Sequence, residues 1–269
     1  MDDFDDRIGR FDLSLFSRIE SQSTANDRQS LLAVQLAVRQ RQGEYCWLEI
    51  GSHLGGSLQA LMVDPRCARV LSIDPRPLVQ PDERGQDFKY AENSTQRMLE
   101  LLGKIPAADL SKIRTFDAGT DTLRIDQIGA RPDVCFIDGE HTDAAVLRDA
   151  RFCLSLVSSD GCIAFHDAQI IYRGLLKFVQ ELSESGRNFR AYNLPDSVFV
   201  VELGGCRFSE APHLRERLAN NHLGYLWSLM ANDEYREACR RPWIRALWGL
   251  DRTWRRVAWH LSRLTGGGK

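Results

Sequence analysis

A carboxylate set just before a glycine-rich turn, and two further places where a carboxylate and an imidazole stand together, are the parts of this chain best equipped for chemistry. The turn reads Glu49-Ile-Gly51-Ser52-His53-Leu-Gly55-Gly56-Ser57. Glycines there let the backbone leave a strand sharply and approach a ligand, and the helix that follows offers free N–H groups. A dinucleotide fingerprint requires glycine where His53 stands, so close approach of a pyrophosphate is disfavoured. The carboxylate at Glu49 suits a cationic ligand instead. The other two places are Asp138-Gly-Glu-His141 and His166-Asp167. An imidazole with an ordinary pKa of about 6.5 is mostly neutral at pH 7 and accepts protons readily. The same residue types also serve as metal or substrate contacts, or as the cap of a helix starting near 142.

These residues fall at the ends of short β-rich runs that alternate with helical stretches. Strands are expected at 45–50, 68–74, 112–117, 133–138, 161–167, 189–194 and 197–203, with a long polar loop over 75–93. Helical patterns precede the first strand (SLFSRIE, then a start signal at Thr24–Asp27) and fill the intervals between later ones. The alternation, with strands apolar on both faces, calls for an α/β fold: a doubly wound, mainly parallel seven-stranded sheet covered by helices. The last two runs are linked only by Pro195-Asp196, too short for a parallel crossover, so they form an antiparallel pair at one edge. Helical additions are expected at both ends, giving segments 1–43, 44–206 and 207–269. In a sheet of this kind ligands bind at the carboxyl ends of the strands, where the residues above lie.

The pattern E-x-G-x-x-x-G at 49–55 resembles the first motif of class I S-adenosylmethionine-dependent methyltransferases. Downstream, Pro132-Asp-Val-Cys-Phe-Ile-Asp138-Gly-Glu-His141-Thr and Gly161-Cys-Ile-Ala-Phe-His166-Asp167 resemble the fourth and fifth strands of one subgroup. That subgroup holds the metal-dependent sugar O-methyltransferases of macrolide biosynthesis and, more distantly, the catechol O-methyltransferases. The resemblance covers about 44–203 and implies a Rossmann-like fold. It implies that Glu49, Gly51, Ser52, Gly55 and Ser57 hold S-adenosylmethionine, with Asp74 on the ribose diol, Asp117 beside the adenine and Asp138 bordering the cofactor.

It also implies that Asp138 and Asp167, closing neighbouring strands, present hard oxygen ligands to Mg²⁺ or Mn²⁺. A divalent cation lowers the pKa of a hydroxyl by several units, and a base near neutrality then removes the proton. His141 stands where the sugar enzymes carry a histidine and the catechol enzymes a lysine that serves as base. His166 replaces what is commonly an acid in those enzymes, so it either adds an imidazole ligand or leaves two protein ligands.

Composition narrows the alternatives. The chain has 269 residues, 43% hydrophobic and 27% charged, with a net charge of -2. That is an ordinary globular composition with no overall field toward nucleic acid or an anionic membrane. The seven Cys contain no C-x-x-C pair and lie mostly in apolar runs, the usage expected of reduced thiols in a cytoplasmic protein. The acidic MDDFDDRIGRF is unlike a signal peptide.

The stretch 207–269 carries a local +6 and five of the six Trp. Trp243, Leu247, Leu250, Trp254, Val257, Leu261 and Leu264 form one helical stripe, with Trp248, Trp259 and several Arg off it. This helix, 243–264, reads as core packing, a homo-oligomer contact or a peripheral membrane contact. The leading expectation is methyl transfer to a hydroxyl of a sugar or other small metabolite or glycan precursor, with a divalent metal and His141 as base. The alternatives are a metal-independent methyltransferase, a nicotinamide-dependent oxidoreductase and an inert binding module.

Overall fold

The structure is a computed structural model describing residues 4–219, 221–239 and 243; the apolar stripe beyond Trp243 lies outside the described residues. Two helices open the chain, α1 (Phe4–Gly9) and α2 (Ala25–Gln42). Then follow β1 (Tyr45–Ile50), α3 (Gln59–Val63), β2 (Cys67–Ile73), β3 (Val79–Asp82), β4 (Gln86–Lys89), α4 (Thr95–Leu102) and β5 (Ile113–Phe116). Next are α5 (Ile125–Ile128), β6 (Val134–Ile137), α6 (Asp143–Leu156), β7 (Cys162–Phe165) and α7 (Tyr172–Glu184). The chain continues through β8 (Phe189–Asn193), β9 (Phe199–Leu203), α8 (Pro212–Ala219) and α9 (Asn221–Cys239).

The seven-stranded sheet runs β5-β2-β1-β6-β7-β9-β8, parallel from β5 to β7, with β9 antiparallel to both β7 and β8. The expected architecture is therefore present, antiparallel edge pair included. Strands β6 and β7 are buried at every position, as a strand covered by helices on both faces must be. One apolar cluster joins α2 (Leu31, Val34, Val38) to β1, β6, β9 and α8 (Leu214), so it crosses the expected boundaries at 43/44 and 206/207.

Two local expectations need correcting. SLFSRIE forms only a short 3-10 turn, Leu13–Phe16. The backbone N–H groups of Arg18 and Ile19 instead donate to the buried Gln59 side chain, both at 2.9 Å, which draws them away from helix carbonyls. The polar loop over 75–93 contains the β3–β4 hairpin. Its three-residue connection ends in Gly85 at φ +79°, a conformation in which glycine has no steric cost.

The register positions the site. Glu49 lies beside Ser72 and Phe136, and Ile137 beside Phe165. The ladder runs one residue beyond each strand: Gly51 N donates to Ile73 O, Asp138 N to Ile50 O, His166 N to Ile137 O and Asp74 N to Phe116 O. Residues 51, 74, 138 and 166 are thereby fixed in one row at the carboxyl edge. The crevice between β1 and β6, where the chain switches direction across the sheet, is where such folds bind ligands.

Candidate active site

A cavity of about 250 Å³ opens at that edge. Its floor is the β1 turn (Gly51, Ser52, Ser57) with Asp138, His166 and Asp167. Its walls are the segment Glu20–Ser23, the hairpin residues Arg84 and Phe88 with Tyr90 just beyond, and Tyr235 of α9.

The glycines of the turn are required by packing. Gly51 has φ +87°, and a Cβ there would stand 2.1 Å from the Asp138 carbonyl oxygen. At Gly56 a Cβ would stand 2.7 Å from the Glu20 carbonyl oxygen. The turn is therefore pressed against the two segments that border the cavity. Below it, Ser57 Oγ donates to Glu49 Oε1 at 2.6 Å, while the buried Glu49 Oε2 has no hydrogen-bond partner. Burial, only partly offset by Ser57, pushes the Glu49 carboxyl up to about 8. A buried carboxylate oxygen without a donor, next to the cavity, fits the ammonium-bearing end of S-adenosylmethionine.

Asp74 and Asp117 lie off this cavity. Asp74 accepts from His53 N at 2.8 Å and Arg76 N at 2.7 Å, holding together the turns that follow β1 and β2. Each of its oxygens keeps a second lone pair for a diol. The Arg76 guanidinium stands between the two acids, 3.4 Å from Asp74 and 3.7 Å from the exposed Asp117. Gly55, at φ +83°, packs on Leu102 and Met98 rather than on the cavity.

Among the described residues, the group whose ligand atoms could hold a metal is Asp138, His141 and Asp167, all within 4.8 Å of one another. His141 Nε2 lies 3.2 Å from Asp167 Oδ2 and 3.7 Å from Asp138 Oδ1. His166, expected among the metal ligands, adjoins the same two acids from the α2 side. Its Nδ1 faces Asp138 at 3.0 Å and Asp167 at 3.3 Å, and its Nε2 faces Asp27 Oδ2 at 3.4 Å. Nδ1 thus faces the same two carboxylates as His141, while the buried Nε2 lies near Asp27 without a hydrogen bond.

The charges agree. Burial opposes ionisation of His166, but the Asp138 and Asp167 charges outweigh it and hold the ring well above its ordinary pKa. Burial raises and His166 lowers the Asp138 carboxyl, with a net shift below the usual range, and Asp167 behaves alike. His141 is opposed by burial and raised by Asp167, Asp138 and Asp82 to about 10.

Several site residues fall outside the sequence expectation. Asp27 is drawn in from the capping box that starts α2, where Thr24 and Asp27 bond each other's backbone. Asp82 and Arg84 come from the hairpin, and Tyr235 from α9. The hairpin had a usable signal in Asp82-Glu-Arg-Gly85 between Val79 and Phe88, a three-residue connection ending in glycine. Asp27 and Tyr235 had none, because only tertiary packing brings them here.

Residues 48–168 match a family described as a methyltransferase domain. No curated protein matches the chain in sequence. Among solved structures, the MycE methyltransferase of the mycinamycin biosynthetic pathway, in complex with Mg and S-adenosylhomocysteine, is 16% identical with a TM-score of 0.50. That alignment covers 76% of this chain and 56% of MycE, so the chain spans little more than half of that protein. The O-methyltransferase TomG of Streptomyces achromogenes, in complex with S-adenosylmethionine, is 17% identical with a TM-score of 0.46, covering 76% of this chain and 90% of TomG. The S-adenosylhomocysteine-bound methyltransferase PaMTH1 of Podospora anserina is 15% identical with a TM-score of 0.48, covering 74% and 88%. At these identities the likeness to solved structures is one of fold. With the family match over 48–168 and the sheet order in agreement, residues 48–168 are a methyltransferase domain.

Proposed function

We propose that the protein transfers the methyl group of S-adenosylmethionine to a hydroxyl of a small acceptor, a sugar or a related metabolite or glycan precursor, with help from a divalent cation, Mg²⁺ or Mn²⁺. The observation that carries this reading is the convergence of Asp138, His141 and Asp167 on the cavity floor, beside the Gly51–Ser57 turn. The Mg and S-adenosylhomocysteine named with MycE support the same pairing of cation and cofactor.

When bound, the cofactor supplies an electrophilic methyl and the cation acidifies the acceptor hydroxyl. The chain's own residues do the rest. Glu49 and the β1 turn orient the amino-acid end of the cofactor, with Asp74 and Asp117 at the adenosine end. Asp138 and Asp167 hold the cation through hard oxygen atoms. His141 would take the acceptor proton at Nε2 once Asp167 and Asp138, the carboxylates that raise its pKa against burial, hold the cation instead. His166 Nδ1, 3.0 Å from Asp138 Oδ1, orients that carboxylate. Phe88, Tyr90 and Tyr235 offer flat apolar faces to the acceptor.

The ion pairs that His141 and His166 make with Asp138 and Asp167, which balance those carboxylates without a cation, favour one second reading, a metal-independent enzyme. A methyl-transfer assay over a panel of sugars and small alcohols, read as S-adenosylhomocysteine release with and without chelator, separates the two. The proposal expects chelator-sensitive turnover that Mg²⁺ or Mn²⁺ restores and that His141→Gln abolishes. Undiminished turnover in chelator would replace it with the metal-independent reading, and no cofactor binding would leave a binding module.

A further inference from the structure

We infer that Arg84 reads an anionic group on the acceptor: the open end of its guanidinium, Nη1 and Nη2, receives both oxygens of a carboxylate or phosphate carried by the molecule whose hydroxyl is methylated. This rests on the proposed methyl transfer to an acceptor in this cavity.

The hairpin that carries Arg84 is fixed over the cavity floor by its backbone. Glu83 N donates to His141 O at 2.9 Å, and Asp143 N donates to Glu83 Oε1 at 2.9 Å. The fully buried Asp82 carboxylate then holds the guanidinium along one side: Nε donates to Oδ1 and Nη2 to Oδ2, both at 2.8 Å. The rings of Tyr235 and Phe88 pack on the same group, their centroids 4.3 and 5.5 Å from Cζ. What is left is the end of the fork. Nη1 has no hydrogen-bond partner among the described residues, and Nη2 has used one of its two N–H groups. Arg84 lines the cavity together with Phe88 and Tyr235, so this end is the part of the cation that a ligand there can meet.

Two parallel N–H groups on a planar cation match the two oxygens of one carboxylate or phosphate in spacing and in charge, whereas a hydroxyl offers one oxygen and no charge. Because Asp82 and the two rings already hold the guanidinium, little side-chain freedom is lost when an anion docks. Asp82 offsets the Arg84 charge at a distance, so the selectivity lies in the directed fork. The rest of the site does not oppose a second acid. A divalent cation on Asp138 and Asp167 balances their charges, and Glu20 in the cavity wall is exposed to water, which screens it. Arg84 is thus a specificity-determining residue, and the acceptor is a hydroxy acid, an acidic sugar or a sugar phosphate in preference to a neutral sugar or alcohol.

The test is isothermal titration of full-length protein, saturated with S-adenosylhomocysteine and Mg²⁺, with probes matched except for charge: glucose against glucuronate, and glycerol against glycerate and glycerol phosphate, with acetate and inorganic phosphate as the bare anions. In the wild type the charged probes should bind about tenfold or more tightly than their neutral counterparts, and the carboxylate and phosphate arms show which anion is read. Arg84→Gln should remove that preference while leaving affinity for S-adenosylhomocysteine within about twofold. Because Arg84→Gln leaves the buried Asp82 without its partner, Arg84→Lys is measured alongside; it keeps a cation beside Asp82 but lacks the fork, and it should also lose most of the preference. A preference retained in both variants, equal binding of charged and neutral probes by the wild type, or no binding of any charged probe would overturn the inference while leaving the proposed reaction intact. Failure of the wild type to bind S-adenosylhomocysteine would instead overturn the proposed reaction, and this inference with it.

Discussion

Gly51→Ala probes the one contact on which the geometry of the site most depends. The added Cβ would stand 2.1 Å from the Asp138 carbonyl oxygen and 2.5 Å from both Asp138 C and Gly139 Cα, all backbone atoms. Relief to an ordinary contact of roughly 3 Å or more requires the start of the 138–141 loop to retreat by about 1 Å. The left-handed φ of +87° adds strain for a non-glycine residue, roughly 1–2 kcal/mol, and overpacking adds about 1–3 kcal/mol. For a chain of this size roughly 2–5 kcal/mol lowers Tm by about 4–10 °C.

The control is Gly186→Ala, at φ +67° but with nothing within 4 Å of the added Cβ, which incurs the strain alone and should lose only about 2–4 °C. Differential scanning calorimetry reads the stability. Titration with Mg²⁺ in the presence of S-adenosylhomocysteine reads the site, and a displacement of about 1 Å should weaken cation binding by roughly 10- to 100-fold in Gly51→Ala only. If Gly51→Ala matches Gly186→Ala in both measurements, the argument that the β1 turn sets the position of Asp138 is wrong.

Glu49→Gln should separate stability from cofactor binding. The folded pKa of about 8 lies above the ordinary 4.5, so the native state keeps this proton longer than the unfolded chain and Glu49 erodes stability as pH rises from 4.5 to 8. The variant should therefore raise Tm of the ligand-free protein at pH 8, by less at pH 5, while weakening S-adenosylhomocysteine binding about tenfold or more; unchanged affinity would remove Glu49 from the cofactor site. Asp64, fully buried and accepting from Gln35, Arg39, Tyr45 and Arg66, anchors α2 to β1 and β2. Asp64→Ala leaves the Arg39 side chain buried without this partner and should cost about 3–5 kcal/mol in chemical denaturation; a loss under 1 kcal/mol would show that the network contributes little. Thr24→Ala removes half of the α2 capping box and should cost about 1 kcal/mol, read as a Tm shift of roughly 2 °C.

What was legible in the sequence follows from how local each signal is. The strand Tyr45–Ile50 and the cap at Thr24 stand where the apolar runs and the Thr-x-x-Asp spacing put them, since both are set by near neighbours. Asp138, His141 and Asp167 lie together because β6 and β7 are adjacent and in register. His166 was ambiguous in sequence, as its surroundings include Asp27, 139 residues away and delivered by the packing of α2. The β3–β4 hairpin was obscured by its polar composition, and its pairing to the 138–143 loop runs through backbone groups that leave no trace in side-chain pattern. Asp74 and Asp117 were easy to find as strand-end acids, but the guanidinium of Arg76 between them is a tertiary fact.

The central claim, that one crevice binds both the cofactor and a divalent cation, is tested most directly by isothermal titration of chelator-treated protein with S-adenosylhomocysteine and then with Mg²⁺ or Mn²⁺, in the wild type and in Asp167→Ala. The account predicts cofactor-product binding in both proteins and a separate cation-binding signal in the wild type that Asp167→Ala loses. Cation binding of equal strength in the two proteins, or none in the wild type, would contradict it.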